Sequence, residues 1–276
     1  MADISRVLIT GGESRIGCEL DFGIKLTHKE LDITDSQSIA FALDKYSPSA
    51  VLNLASVDIK NSQTNPYLAN KVNVFGVYNL VVETKKRNIP LIIISTGAIF
   101  NGDFKKTFTE KDVPNPKNIY GQTKYLAELI ITKTKEDYTI IRTGWLFGGK
   151  AKNGFAKFVK EAIISARENK SISATSDKIG SPTYIPDLIE NIKKLIVSNK
   201  KGTFHLINEG SASAVDFVEE IIRTTGSLSA VNKIISSDIS DIERSESEVL
   251  SSTEIKLRPW QQALAEYIRL INLECK

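Results

Sequence analysis

Histidine and cysteine are nearly absent from the 276-residue chain, which holds only His28, His205, Cys18 and Cys275. A histidine-based catalytic triad or a zinc site is therefore not expected, and the chemistry calls for no metal. The two cysteines stand near opposite ends without metal-ligand spacing and read as buried or inert thiols in a reducing cytosol. Long apolar runs are missing too. No segment approaches the roughly 20 apolar residues of a bilayer span, and residues 1–6 (MADISR) lack the apolar core of a signal peptide, so a cytoplasmic protein without a membrane partner is expected. Charge of one sign is not in excess: the net charge is +3, with 25% charged residues and no basic block. Nucleic acid is not an expected partner.

What the chain does have is a series of short, continuous apolar runs alternating with helical stretches. Residues 6–10 (RVLIT) end at Gly11-Gly12, and residues 16–20 read as the opening of a helix. Ile24–Leu26 follows, then a helix capped around Thr34-Asp35-Ser36 that Ser47-Pro48 terminates. Residues 50–54 (AVLNL) and 91–95 (LIIIS) read as buried strands flanking a helical stretch from 66 to about 87. A helix around Tyr120 and Lys124 and the strand 139–142 (TIIR) close the series. This alternation predicts an α/β fold, a Rossmann-type doubly wound parallel sheet with ligands over the carboxyl ends of its strands. Residues 1–149 form the expected dinucleotide-binding domain, and residues 150–276 a smaller C-terminal substrate lobe that exchanges segments with it. Within that lobe residues 236–252, rich in Ser, Asp and Glu, read as a loop or mobile flap, and Trp260 as core.

The turn after the first strand, Thr10-Gly11-Gly12-Glu13-Ser14-Arg15-Ile16-Gly17, falls where a pyrophosphate rests on backbone N–H groups. Serine stands at the usual middle glycine; it leaves room for a phosphate and brings a hydroxyl. No carboxylate closes the second strand. Lys25, Thr27, His28 and Lys29 stand there instead, with Arg15 in the Gly-rich loop, which favours the 2′-phosphate of NADPH while leaving NADH possible. Asp32, beside Ile33, reads equally as an adenine contact or a helix cap.

Tyr120-Gly121-Gln122-Thr123-Lys124 places a phenol and an ammonium four residues apart, on one face of a helix. A phenol titrates near pH 10, and a neighbouring cation favours phenolate, so Lys124 is expected to lower the Tyr120 pKa. Thr96, at the end of an apolar strand, offers a hydroxyl to the same substrate oxygen. Together these are the parts needed to protonate a carbonyl oxygen while hydride arrives at its carbon.

With these residues in place the chain resembles the dTDP-4-dehydrorhamnose reductase family of extended short-chain dehydrogenases/reductases. The matches include the Gly-rich turn, Leu31-Asp32-Ile33-Thr34-Asp35, Asn53-Leu54-Ala55-Ser56, Val72-Asn73-Val74-Phe75-Gly76, Ser95-Thr96, the Tyr120 helix, Arg142-Thr143-Gly144-Trp145 and Gly180-Ser181-Pro182-Thr183. The resemblance implies Thr96, Tyr120 and Lys124 as the catalytic set. It implies a cofactor site at Gly11, Glu13, Ser14, Arg15, Ile16, Asp32, Ile33, Leu54, Ala55, Ser56, Tyr120 and Lys124, and sugar contacts from Thr96, Gly97, Trp145 and Tyr184. The implied activity is NAD(P)H-dependent reduction of a nucleotide-linked 4-keto-6-deoxy sugar by a monomer or homodimer. Another sugar-nucleotide reductase or epimerase of the same superfamily, or a non-catalytic NADP-binding regulatory subunit like the β subunit of methionine adenosyltransferase, is the alternative. Two departures concern the sugar. The family pattern Ser-Thr-Asp-Tyr-Val-Phe is Ser95-Thr96-Gly97-Ala98-Ile99-Phe100 here, and Arg-Pro-x-Asn-Ser is Arg244-Ser245-Glu246-Ser247-Glu248. A sugar specificity different from that of rhamnose-pathway reductases is expected.

Overall fold

The computed structural model describes residues 3–104, 106–150 and 154–274; Cys275 lies outside the described residues. Six strands, β1 (Val7–Thr10), β2 (Ile24–Leu26), β3 (Ala50–Asn53), β4 (Leu91–Thr96), β5 (Tyr138–Thr143) and β6 (Gly202–His205), form one sheet. All neighbours are parallel, in the order β6-β5-β4-β3-β1-β2. Every residue of β1 and β3 is buried, which is why these strands read as unbroken apolar runs rather than alternating ones. From β1 the chain moves outward to β2, then returns past β1 to β3. The order therefore reverses between β1 and β3, and a crevice opens over their carboxyl ends.

The main helices are α1 (Ser36–Tyr46), α2 (Val77–Lys86), α3 (Ile119–Thr134), α4 (Gly154–Arg167), α5 (Ile185–Val197), α6 (Ala214–Thr225) and α7 (Trp260–Glu274). Leu43 of α1, Leu80 of α2 and Ile131 of α3 pack with Leu8, Val51 and Ile93 on one face of the sheet. Leu188, Ile192 and Leu195 of α5 pack with Val7, Leu52 and Ile141 on the other. Both α5 and β6 come from beyond residue 150, so the C-terminal half helps to build the first core. A separate core joins α4, α6 and α7 through Val159, Phe217 and Leu264. Trp260 is buried there, stacked on Phe217 at 4.8 Å.

Two local expectations are corrected and one is refined. The helix expected from residue 16 is a single 3₁₀ turn, Gly17–Glu19, because the chain must already bend through Gly23 (φ +74°) to enter β2. The helical stretch expected after Pro66 runs without a break to Lys86, but its middle, Lys71–Gly76, is a π turn between Pro66–Asn70 and α2. The expected flap is loose only in part. Val249–Leu250 pairs with Thr107–Phe108, the Ser245 hydroxyl donates to the Phe100 carbonyl at 2.7 Å, and the Ser247 N–H donates to the Gly102 carbonyl at 2.9 Å. Residues 245–251 are thus a strap stitched to the loop after β4.

Candidate active site

The Gly-rich turn is shaped by what cannot fit in it. Gly11 has φ +62°, and a Cβ there would come within 2.7 Å of the Ala55 backbone nitrogen. A Cβ at Gly17 would come within 2.5 Å of the Gly12 carbonyl. The backbone of the turn consequently lies against the 54–56 segment at the β1/β3 switch point. The Ser14 hydroxyl accepts from the Gly17 N–H at 3.1 Å, which leaves its own proton free to donate.

Two polar residues end the otherwise apolar strands β1 and β3. Thr10 donates its hydroxyl to Asn53 Oδ1 at 2.5 Å, and the same oxygen accepts from the Ala55 N–H at 3.2 Å. Asn73, buried and presented by the π turn, accepts from the Val57 N–H at 2.8 Å and donates to the Thr123 hydroxyl at 3.0 Å. It is a packing amide that fixes the 55–57 segment to α3. Sequence reasoning named Asn53 within the Asn53-Leu54-Ala55-Ser56 match but gave it no role; the register that sets it opposite Thr10 comes from the fold.

Helix α3 begins at Asn118, whose side chain accepts from the Gly121 N–H at 2.9 Å. A Cβ at Gly121 would run into the Ala98 carbonyl. That close approach sets the first turn of α3 against the end of β4 and brings Tyr120 beside Thr96. Thr96 Oγ1 accepts from the Ala98 N–H at 3.1 Å, and its hydroxyl hydrogen-bonds the Tyr120 phenol, which opposes the rise in the phenol pKa. Tyr120 and Lys124 line a cleft of about 630 Å³ together with Glu13, Ser14, Arg15, Ile16, Leu54, Ala55 and Ser56.

Electrostatically the site differs from expectation. Burial raises the Tyr120 pKa above the ordinary phenol value, and the cation opposing that rise is Arg15, not Lys124. Burial also brings Lys124 down to about 8, with Glu128 pulling the other way. Glu128 is held by Arg142, whose Nη2 donates to its Oε2 at 2.7 Å. Lys124 is therefore a cation under desolvation, and the Gly-rich loop supplies the one that acts on the phenol.

Other expected residues fall elsewhere. Tyr184 is 1% exposed and sits in the second core against Phe147 and Tyr267, because the strand Pro182–Tyr184 turns its ring away from the cleft. Ile33 is buried behind Gly76, and Asp32 caps the Thr34 N–H at 2.8 Å; neither lines the cleft. Lys25 donates to the Leu20 carbonyl at 3.0 Å and is not among the residues lining the cleft. Cys18 is exposed and lines the cleft rather than being buried. Trp145 is half-buried, with its ring packed over Gly180 and 5.0 Å from Phe155. Its buried Nε1 closes no hydrogen bond but lies close to the carboxyl of Glu248, a residue that sequence reasoning treated only as a departure from pattern.

Comparison with known proteins matches residues 5–272 to the family described as RmlD substrate binding domain. The spore coat polysaccharide biosynthesis protein SpsK of Bacillus subtilis is 31% identical over 99% of this chain and 100% of its own length. The dTDP-4-keto-6-deoxy-D-glucose reductase of Streptomyces niveus is 28% identical over 80% of this chain and 79% of its own. A crystal structure of dTDP-4-dehydrorhamnose reductase from Bacillus anthracis, in complex with NADP, superposes with a TM-score of 0.88 at 28% identity, covering 97% of this chain and 100% of that one.

Proposed function

The chain belongs to the RmlD family, that of the dTDP-4-dehydrorhamnose reductases, and on that premise we propose that it is an NADPH-dependent reductase of a nucleotide-linked 4-keto-6-deoxy sugar. The observation that carries the reading is that Tyr120 and Lys124 line one cleft with Glu13, Ser14 and Arg15 of the Gly-rich turn, while the Thr96 hydroxyl hydrogen-bonds the Tyr120 phenol. The side-chain-free approach at Gly11 and Gly17 suits a dinucleotide pyrophosphate. Ser14, Arg15 and the 54–56 segment would hold the cofactor, which supplies hydride when bound. Preference for NADPH rests on the Bacillus anthracis neighbour, which binds NADP.

Tyr120 gives its phenolic proton to the keto oxygen as the alkoxide forms. Burial keeps that phenol protonated at neutral pH, so it begins as an acid, and Arg15 eases the phenolate that follows. Thr96 donates to the same oxygen and fixes its direction. Lys124 keeps a positive charge beside the proton donor at the cofactor side of the cleft. On this reading the protein is a monomer or homodimer that works in the cytosol, where reduced cofactor and nucleotide sugars are made. Among the described residues no helix is long and apolar enough to cross a membrane.

The test is oxidation of NADPH and of NADH against 4-keto-6-deoxy sugars carried on dTDP, UDP, GDP and CDP. Turnover of at least one sugar, faster with NADPH, is expected. Silence across the panel refutes the reading.

A further inference from the structure

Glu248 is a buried acid that the proton relay does not use. The strap that carries it is fixed, since the Glu248 N–H donates to the Ile179 carbonyl at 3.0 Å and the Leu250 N–H donates to the Ser181 hydroxyl at 2.9 Å. The Trp145 indole N–H, itself buried and without a hydrogen bond, lies close to the Glu248 carboxyl. The Tyr120 phenol is near enough to feel its charge. Arg244 and Lys178 act on Glu248 only from a distance, and Lys178 is paired with Asp177 at 3.7 Å. Burial without a paired cation raises the Glu248 pKa and favours the neutral acid, a group that can both donate and accept a hydrogen bond.

The position of the strap is equally telling. Gly97 directly follows Thr96, and a Cβ there would lie 2.9 Å from the Glu248 carbonyl oxygen and 3.6 Å from its Cβ. The space that an acidic side chain at position 97 would need is occupied by the Glu248 residue itself. We propose that Glu248 is the carboxyl group that reads the sugar in this protein, its carbonyl oxygen accepting a hydrogen bond from the ring hydroxyl beside the keto group while Trp145 Nε1 donates to it. A hydroxyl both donates and accepts, so it satisfies a carboxyl oxygen and an indole N–H at once; a ring lacking it leaves both unpaired. Glu248 is thus a specificity-determining residue, and its assignment rests on the reductase reading above.

The experiment compares the parent with Glu248→Gln and Trp145→Phe, using a turned-over 4-keto-6-deoxy nucleotide sugar and its analogue deoxygenated beside the keto group. In Glu248→Gln, which replaces the acid O–H by an amide NH2, KM for the sugar should rise about tenfold, the upper end for a disrupted neutral hydrogen bond. NADPH affinity by fluorescence titration and the melting temperature should hold. Discrimination between the sugar and the deoxy analogue should collapse in both variants. Unchanged KM and unchanged discrimination in a variant that melts like the parent overturn the role of Glu248. If Glu248→Gln fails to fold, Trp145→Phe decides, since it leaves the strap intact: collapsed discrimination supports the pair, and parental discrimination overturns it. A parent inactive on every sugar overturns the reductase reading as well, which separates that failure from this one.

Discussion

Replacing Lys124 by methionine is expected to stabilise the fold while removing most of the activity. Burial brings the ammonium from its usual 10.5 to about 8. Each pKa unit corresponds to about 1.4 kcal/mol, so holding the charge at pH 7 costs the folded state about 3 kcal/mol. Methionine keeps the length of the side chain without the charge. Glu128 is not orphaned by the change, because Arg142 still binds it at 2.7 Å. The sign follows from proton counting. Between about pH 8 and 10.5 the unfolded parent holds a proton that the folded parent has released, so parental stability rises with pH through that window and gains nothing below it. Methionine has no such dependence. The advantage of Lys124→Met should therefore be largest at pH 7 and shrink towards pH 10. Urea unfolding of both proteins at several pH values measures the gap, and steady-state assays measure the lost turnover. A variant less stable than the parent at pH 7, or a gap constant across the range, would refute the reasoning.

Tyr120→Phe should lower turnover by a factor on the order of 10²–10⁴ with little change in NADPH affinity, and turnover within threefold of the parent would remove the phenol from its role. Arg15→Ala withdraws the cation that opposes the burial-driven rise of the Tyr120 pKa, so the alkaline limb of the kcat/KM profile should move to higher pH; a limb that stays in place or moves down contradicts the assignment. Gly97→Asp should weaken rather than improve the enzyme on any keto sugar, because its Cβ meets the Glu248 backbone at 2.9 Å, and a gain in kcat/KM would show that the strap yields.

The sheet was legible because its strands are continuous apolar runs closed by polar or glycine residues. Residues 7–10, 50–53 and 91–96 stand where the runs RVLIT, AVLNL and LIIIS led one to expect strands. The pairings Trp145–Phe147 with Pro182–Tyr184 and Val249–Leu250 with Thr107–Phe108 are too short to carry any periodicity. Thr96, Tyr120 and Lys124 were legible as residue types at strand ends and at helical spacing. The directions of Arg15, Lys25 and Tyr184 were not. Each lies near the cleft in sequence, and tertiary packing sends Lys25 to the Leu20 carbonyl, Tyr184 into a core and Arg15 towards the phenol. Glu248 was illegible for the same reason, since nothing local to residues 244–248 shows that the strap lies over Gly97.

That strap has a consequence for synthesis. The Ser245 hydroxyl and the Phe100 carbonyl that it clamps are 145 residues apart in sequence. The Gly-rich turn and the proton donor rest on a sheet and core completed by α5 and β6, so they can form once the chain has emerged to about residue 206. The sugar end waits for nearly the whole polypeptide, because contacts between distant segments come late in folding. A nascent chain halted before the strap would present a nucleotide cleft with no wall to judge the substrate. Binding competence would then precede discrimination, and the final stretch of translation would turn a general dinucleotide binder into a selective catalyst.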